Sequence, residues 1–374
     1  MDSTARLSQA HQHWLDAQRE VASLIVAAQH PGSPQDWAEG FRWATRIASI
    51  ALDWVVEKND PLHPVLFLQQ DAYRKFIVDN PDLNYHFCVL DAAETYRLSG
   101  NRGEAPYVGF TFGTDIFHWG SAGSEPTGTL TQAHIDQFEL AANGDFEIII
   151  SATPHPGNWI KLEPRTQHLA IRETFIDKGR QRPARLHMER LGPPIEPPRL
   201  MPDDFIAKLE LAASFMLFVV RTCIAMWAGS ASSVNAFHGA PGSAHVEAQE
   251  AEVDTHCDTD MAYMGARFQL EPGQALKIKI RPPKRAFCYW GLVLVNPWAE
   301  SYDYRFASTC TNNGRATCNE DGTWNIVIAA ENPGVPNWLD TGGRLTGQML
   351  LRWVLAPNAP IPTSEITTLA ALAR

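Results

Sequence analysis

One stretch of this chain occurs twice, far apart, and that repetition constrains the fold more than any other feature. From Gly144 the sequence reads GDFEIIISATPHPGNWI, with Arg172 beyond Trp159; from Gly322 it reads GTWNIVIAAENPGVPNWL, with Arg352 beyond Trp338. Both copies run turn glycine, aromatic, alternating apolar strand, Pro-rich loop, Asn-Trp, then a strand carrying an arginine. One supersecondary unit used twice predicts two similar halves, with residues 144 to 172 and 322 to 352 superposing.

The texture around the repeat supports strands. YHFCVL, ETYRL, YVGFTF, FEIIIS, HLAIRETF and ARLHMERL read as successive strands before residue 199, and ARFQL, ALKIKI, YWGLVLV, DYRFAST, WNIVIAA and MLLRWVL after residue 229. Strands in this number without alternating helices argue for antiparallel sheets. Helical periodicity is confined to residues 4 to 30, 34 to 59 and 203 to 229. Pro31-Gly32 closes the first helix, and Ser33 as N-cap, Pro34 and Asp36 open the second. The expected fold is therefore mainly β with helical additions: two related β-sandwich or jelly-roll-like halves, an N-terminal helical pair and a connecting helix. The expected division is 1–82 (helical region), 83–199 (first β half) and 200–374 (connecting helix and second β half).

Composition limits the function. A net charge of −11 argues against a nucleic-acid partner, while 12 Trp and 26 Pro suit aromatic-lined cavities and many loops. The six cysteines make no CxxC pair or zinc spacing and read as reduced thiols. The amino terminus carries charge throughout and does not read as a signal peptide, and Leu209 to Ala228 is broken by Glu210 and Arg221, so membrane insertion is not expected and a cytoplasmic location is. The apolar stripe of the N-terminal helices covers a sheet face or makes a homo-oligomer contact.

The stretch YWGLVLVNPWAESYDYRF, then NEDGTWNIVIA and NPGVPNWLDTGGRLTGQMLLRW, resembles the bacterial domain-of-unknown-function family numbered twelve-fourteen. NYHFCVLDAAETYRLSGNRGEAPYVGF and GNWIKLEPRTQHLAIRETF are similar to the amino-terminal part of its longer members, so the resemblance covers roughly residues 80 to 355. It implies a β-rich, jelly-roll-like architecture and supplies no catalytic residues to carry over. The loop from Asp115 to His134 is longer than the family's.

Candidate site residues follow from the repeat. Each Asn-Trp turn aims a Trp from a loop end, Trp159 or Trp338, and the next strand supplies Arg172 or Arg352, whose planar fork can stack on an indole or bind a carboxylate. Either arginine can equally close a sheet end through an ion pair. Asp340 follows Trp338, and Tyr302 and Tyr304 are expected on one face of a strand; Tyr hydroxyls in an apolar pocket can donate to a carbonyl. A pocket lined by Trp338, Asp340, Arg352 and one of these tyrosines is expected. His155 and His118 are acid–base candidates, because an imidazole titrates near neutrality. The row Asp254, His256, Asp258 and Asp260 could hold a cation but reads as a solvated acidic loop, so no metal is expected. GxSxG, GxxxxGK[ST] and GxGxxG are missing, and no cofactor is expected. Three readings remain open: a cofactor-independent lyase, isomerase or hydrolase using His155, Asp340 and Tyr302 on a small, largely apolar metabolite; a carrier for a hydrophobic acid; or an assembly component.

Overall fold

The computed structural model describes residues 2–28, 33–114, 116–117, 128–239, 260–356 and 358–372. The chain is mainly β, with four sheets in two halves and no closed barrel.

The first half comprises β1 (Phe67–Leu68), β2 (Leu83–Val89), β3 (Thr95–Asn101), β4 (Tyr107–Gly113), β5 (Thr129–His134), β6 (Asp145–Ser151), β7 (Trp159–Lys161), β8 (His168–Thr174) and β9 (Arg185–Leu191). The second comprises β10 (His238–Gly239), β11 (Met261–Gln269), β12 (Gln274–Ile280), β13 (Tyr289–Val295), β14 (Cys310–Asn312), β15 (Trp324–Ala329), β16 (Trp338–Asp340), β17 (Thr346–Val354) and β18 (Thr363–Thr368). Their sheet orders correspond strand for strand: β1-β2-β8-β4-β5 with β10-β11-β17-β13-β14, and β7-β6-β3-β9 with β16-β15-β12-β18. Register corresponds as well, since Tyr85 pairs with Arg172 and Tyr263 with Arg352. One departure from all-antiparallel pairing recurs in both halves: β7 runs parallel to β6, and β16 parallel to β15.

Each half is a sandwich with its own core. Alternating residues such as Leu98, Phe110, Ile148 and Ile171 fill the first, and Ile278, Trp290, Ile326 and Trp353 the second. In each half one sheet is inner, turned toward the other half, and one is outer.

The helices are α1 (Ser3–Ala27), α2 (Pro34–Ala51), which runs on as a π-helical turn Leu52–Glu57, α3 (Pro202–Gly229) and the short α4 (Leu369–Leu372). Ser33 caps α2 as the sequence indicates: its hydroxyl accepts from the Asp36 amide at 3.1 Å, with Pro34 at the first turn. By length and composition α3 could cross a membrane, but Phe215, Met216, Val219, Val220 and Cys223 are buried inside the protein. The apolar stripe of α1 (Trp14, Ala17, Val21, Ile25) is buried in the same cluster, which reaches Phe87 and Val89 of one inner sheet and Val293 and Val295 of the other. The two inner sheets touch directly at Leu83, Tyr85, Tyr107, Met261, Tyr289 and Val354. They meet at one end, and the helices fill the space at the other.

The DYRFAST run is not a strand. The Asp303 carboxylate accepts from the Arg305 amide at 3.2 Å and pairs with its guanidinium at 2.6 Å, closing a local turn that leaves Phe306 exposed.

Candidate functional site

Alternation along β2 and β8 puts Tyr85, Phe87 and Val89 on the same face as His168, Ala170 and Arg172. That face looks toward the helices and the other half. At its upper end lies a cavity of about 230 Å³, walled by Phe87, Val89, Leu90, Ile116 and Phe117 and edged by Asn59, Asp91, Gln167 and His168. Aromatic contacts fix the apolar wall: Phe87 lies 6.1 Å from Phe117 and 6.3 Å from Trp54, and Phe117 meets Phe215 edge-on at 5.5 Å. The His168 ring stacks on Phe87 at 5.2 Å, and its Nδ1 lies 2.6 Å from the Thr114 carbonyl. A carbonyl only accepts, so Nδ1 carries the proton and Nε2 is the basic nitrogen of the neutral ring.

In the second half the matching position is occupied by side chains of the described residues. Register places Arg267 where the first half has Val89, and Gln348 where it has His168. The Arg267 guanidinium lies 4.0 Å from the Trp227 ring and its Nε donates to Ser230 at 3.1 Å, so the end of α3 fills that corner.

At the lower end the two halves are cross-linked by equivalent residues. Tyr107 donates to Asp260 at 2.9 Å, and Tyr289 donates to Asp82 at 2.9 Å; each tyrosine begins the inner strand of one half and reaches the residue just before the first long strand of the other. Asp82 also receives the Arg315 fork at 2.6 and 3.0 Å and Asn312 at 3.0 Å. Burial, together with Asp82, pushes the Tyr289 hydroxyl well above the usual tyrosine value, so it stays a donor.

Over residues 262–358 the chain matches a family described as a protein of unknown function, DUF1214. It is also similar, along nearly its whole length, to an uncharacterized protein from Burkholderia cenocepacia known as a crystal structure: 32% identity, 99% of this chain, 100% of that one, TM-score 0.89. The chain belongs to that protein's family. The VPA0106 protein of Vibrio parahaemolyticus is 10% identical over 88% of this chain and 98% of its own, with a TM-score of 0.48. No curated protein matches. The DUF1214 match falls within the second half, so the amino-terminal part of the resemblance lies outside the matched residues.

The residues singled out from sequence do not converge in this family member. Trp159 and His155 belong to the outer layer of the first half; the indole Nε1 donates to the Ser151 carbonyl at 3.2 Å, and His155 is exposed with Nδ1 2.8 Å from the Pro156 carbonyl. Trp338 and Asp340 belong to the outer layer of the second half, Trp338 donating to the Ala329 carbonyl at 3.1 Å and Asp340 accepting from the Gly342 amide at 2.7 Å. Arg352 lies on the inner sheet, with its donor to Tyr85 at 2.7 Å. The expected pocket of Trp338, Asp340, Arg352 and a tyrosine is therefore not formed, because the second sandwich core separates Trp338 from Arg352. Tyr302 is buried in that core under the Arg344 guanidinium, and Tyr304 faces Lys75 at 5.1 Å; the turn at Asp303 sends them apart. Arg172 donates to Thr111 at 3.0 Å. His118, Asp254, His256 and Asp258 lie outside the described residues. Among the described residues no three metal-ligating side chains converge.

Sequence reasoning passed over His168 although it picked out Arg172. Both stand on one face of the same strand, and that alternation was the available signal.

Proposed function

We propose that this protein binds a small, largely apolar molecule in the cavity beside His168. The observation that carries this reading is the cavity itself. An apolar space of about 150 Å³ already holds a benzene-sized ligand, and this one, at about 230 Å³, sets the polar side chains of Asn59, Asp91, Gln167 and His168 beside its apolar wall. That combination of apolar wall and few orienting groups is the general form of a small-molecule site. Binding is favoured over the acid–base enzyme built on His155, Asp340 and Tyr302, since those three stand in different layers. Catalysis retains one footing, His168, whose tautomer is set by the Thr114 carbonyl.

The test uses phenol and indole as probes in calorimetric titration. Val89 lines the cavity, so Val89→Trp fills it; this variant is expected to lose at least tenfold in affinity for either probe while keeping a cooperative melt. Unchanged affinity in the filled variant, or no binding by the wild type at millimolar probe, overturns the reading. His168→Gln separates carrier from enzyme: a carrier keeps its ligand unaltered in both proteins, whereas an enzyme loses turnover in the variant and retains binding.

A further inference from the structure

Arg352 is buried, 5% exposed, at the end of the molecule where the inner sheets meet, well away along the sheet from the His168 cavity. Its surroundings are tyrosines. One NH group donates to the Tyr85 hydroxyl of the opposite half at 2.7 Å, and the guanidinium lies 4.9 Å from the Tyr263 ring centre. Nε has no hydrogen-bond partner. Among the described residues no carboxylate stands within ion-pair distance of it, and Asp82, reached through Tyr289, is already taken by Arg315, Asn312 and the tyrosine itself. A buried cation left in that state costs several kcal/mol unless an opposite charge accompanies it. The matching Arg172 is less enclosed and donates to a threonine hydroxyl, so the repeat alone does not require the arrangement.

We infer that Arg352 is the cationic floor of a monovalent-anion site between the two halves, walled by Tyr85, Tyr263 and Tyr289 and taking an anion the size of chloride or a carboxylate group. The site is independent of the proposed cavity ligand. The Tyr85 hydroxyl, which accepts from Arg352, keeps its own proton to donate, the Tyr263 and Tyr289 rings supply aromatic edges because their hydroxyls are engaged with Met261 and Asp82, and the free Nε–H provides the charge-assisted bond.

Bromide soaked into crystals of the full chain is expected to give an anomalous peak within bonding distance of the Arg352 guanidinium. In solution, raising sodium chloride to 0.2 M at ionic strength held constant with sodium sulfate, whose divalent anion a monovalent site does not take, is expected to raise the wild-type Tm relative to that of Arg352→Met by about 2–4 °C. Formate in place of chloride identifies the source: a larger shift with formate points to the carboxylate of a metabolite, and an equal or smaller one to a free halide. A wild-type Tm that neither anion raises relative to the variant's, or bromide density only elsewhere, overturns the inference; because the soak needs only the wild type, it stands even if Arg352→Met fails to fold.

Discussion

Glu173 shows how an inner-strand residue can set the response to acid. Its carboxylate is fully enclosed and accepts from the Ala184 amide at 2.6 Å, the Asn84 amide at 3.0 Å and the His86 ring at 2.9 Å. Burial alone would raise its pKa, but those three donors outweigh burial and hold it below the ordinary 4.5. A folded value below the unfolded one means that the unfolded chain takes up the proton first as pH falls. The stabilisation is therefore complete above the unfolded value and is lost as pH drops through the folded one. Glu173→Gln is expected to lower the urea midpoint at pH 7 and to flatten its decline between pH 5 and pH 3. Parallel wild-type and variant curves over that range would show that Glu173 does not govern the acid limb. The matching residue of the second half is Trp353, packed in an apolar core, so the same variant has no counterpart there.

The Asn-Trp turns are clamps at the scale of the element. Asn158 accepts from the Glu139 amide at 2.9 Å and donates to the Glu139 and Glu147 carbonyls at 2.8 and 3.1 Å; Asn337 accepts from the Thr317 amide at 2.7 Å and donates to the Thr317 and Asn325 carbonyls at 2.9 and 3.0 Å. Each side chain stitches an incoming loop to the strand whose parallel partner it starts. Asn158→Ala and Asn337→Ala are each expected to cost about 1–3 kcal/mol, and the double variant roughly the sum, because the turns lie in different halves. Chemical denaturation of the three variants checks this; a negligible loss in both single variants would contradict it. Such clamps are legible in sequence as a repeated Asn-Trp after a Pro-rich loop. Their partners are not, since Glu139 and Thr317 approach from far along the chain. The same limit explains the strands that alternation does reveal and the short ones it does not: β1, β7, β10, β14 and β16 are two or three residues long and carry no period.

Across the whole molecule, the sheet orders put the two similar stretches in equivalent places. What distinguishes the halves is how the helices meet them. Against the second inner sheet, Arg267 and Trp227 close the corner; against the first, the matching corner opens into the cavity beside His168. The mainly β class and the helical pair were readable from periodicity, and the cavity was not, because its lining comes from β2, β8 and segments near residues 59–61 and 116–117 that only the tertiary fold brings together. The most direct test of the binding claim is a crystal of the full chain soaked with 4-iodophenol. An iodine anomalous peak enclosed by Phe87, Phe117 and His168, absent from Val89→Trp, is the predicted result; a wild-type crystal with no iodine there would contradict it.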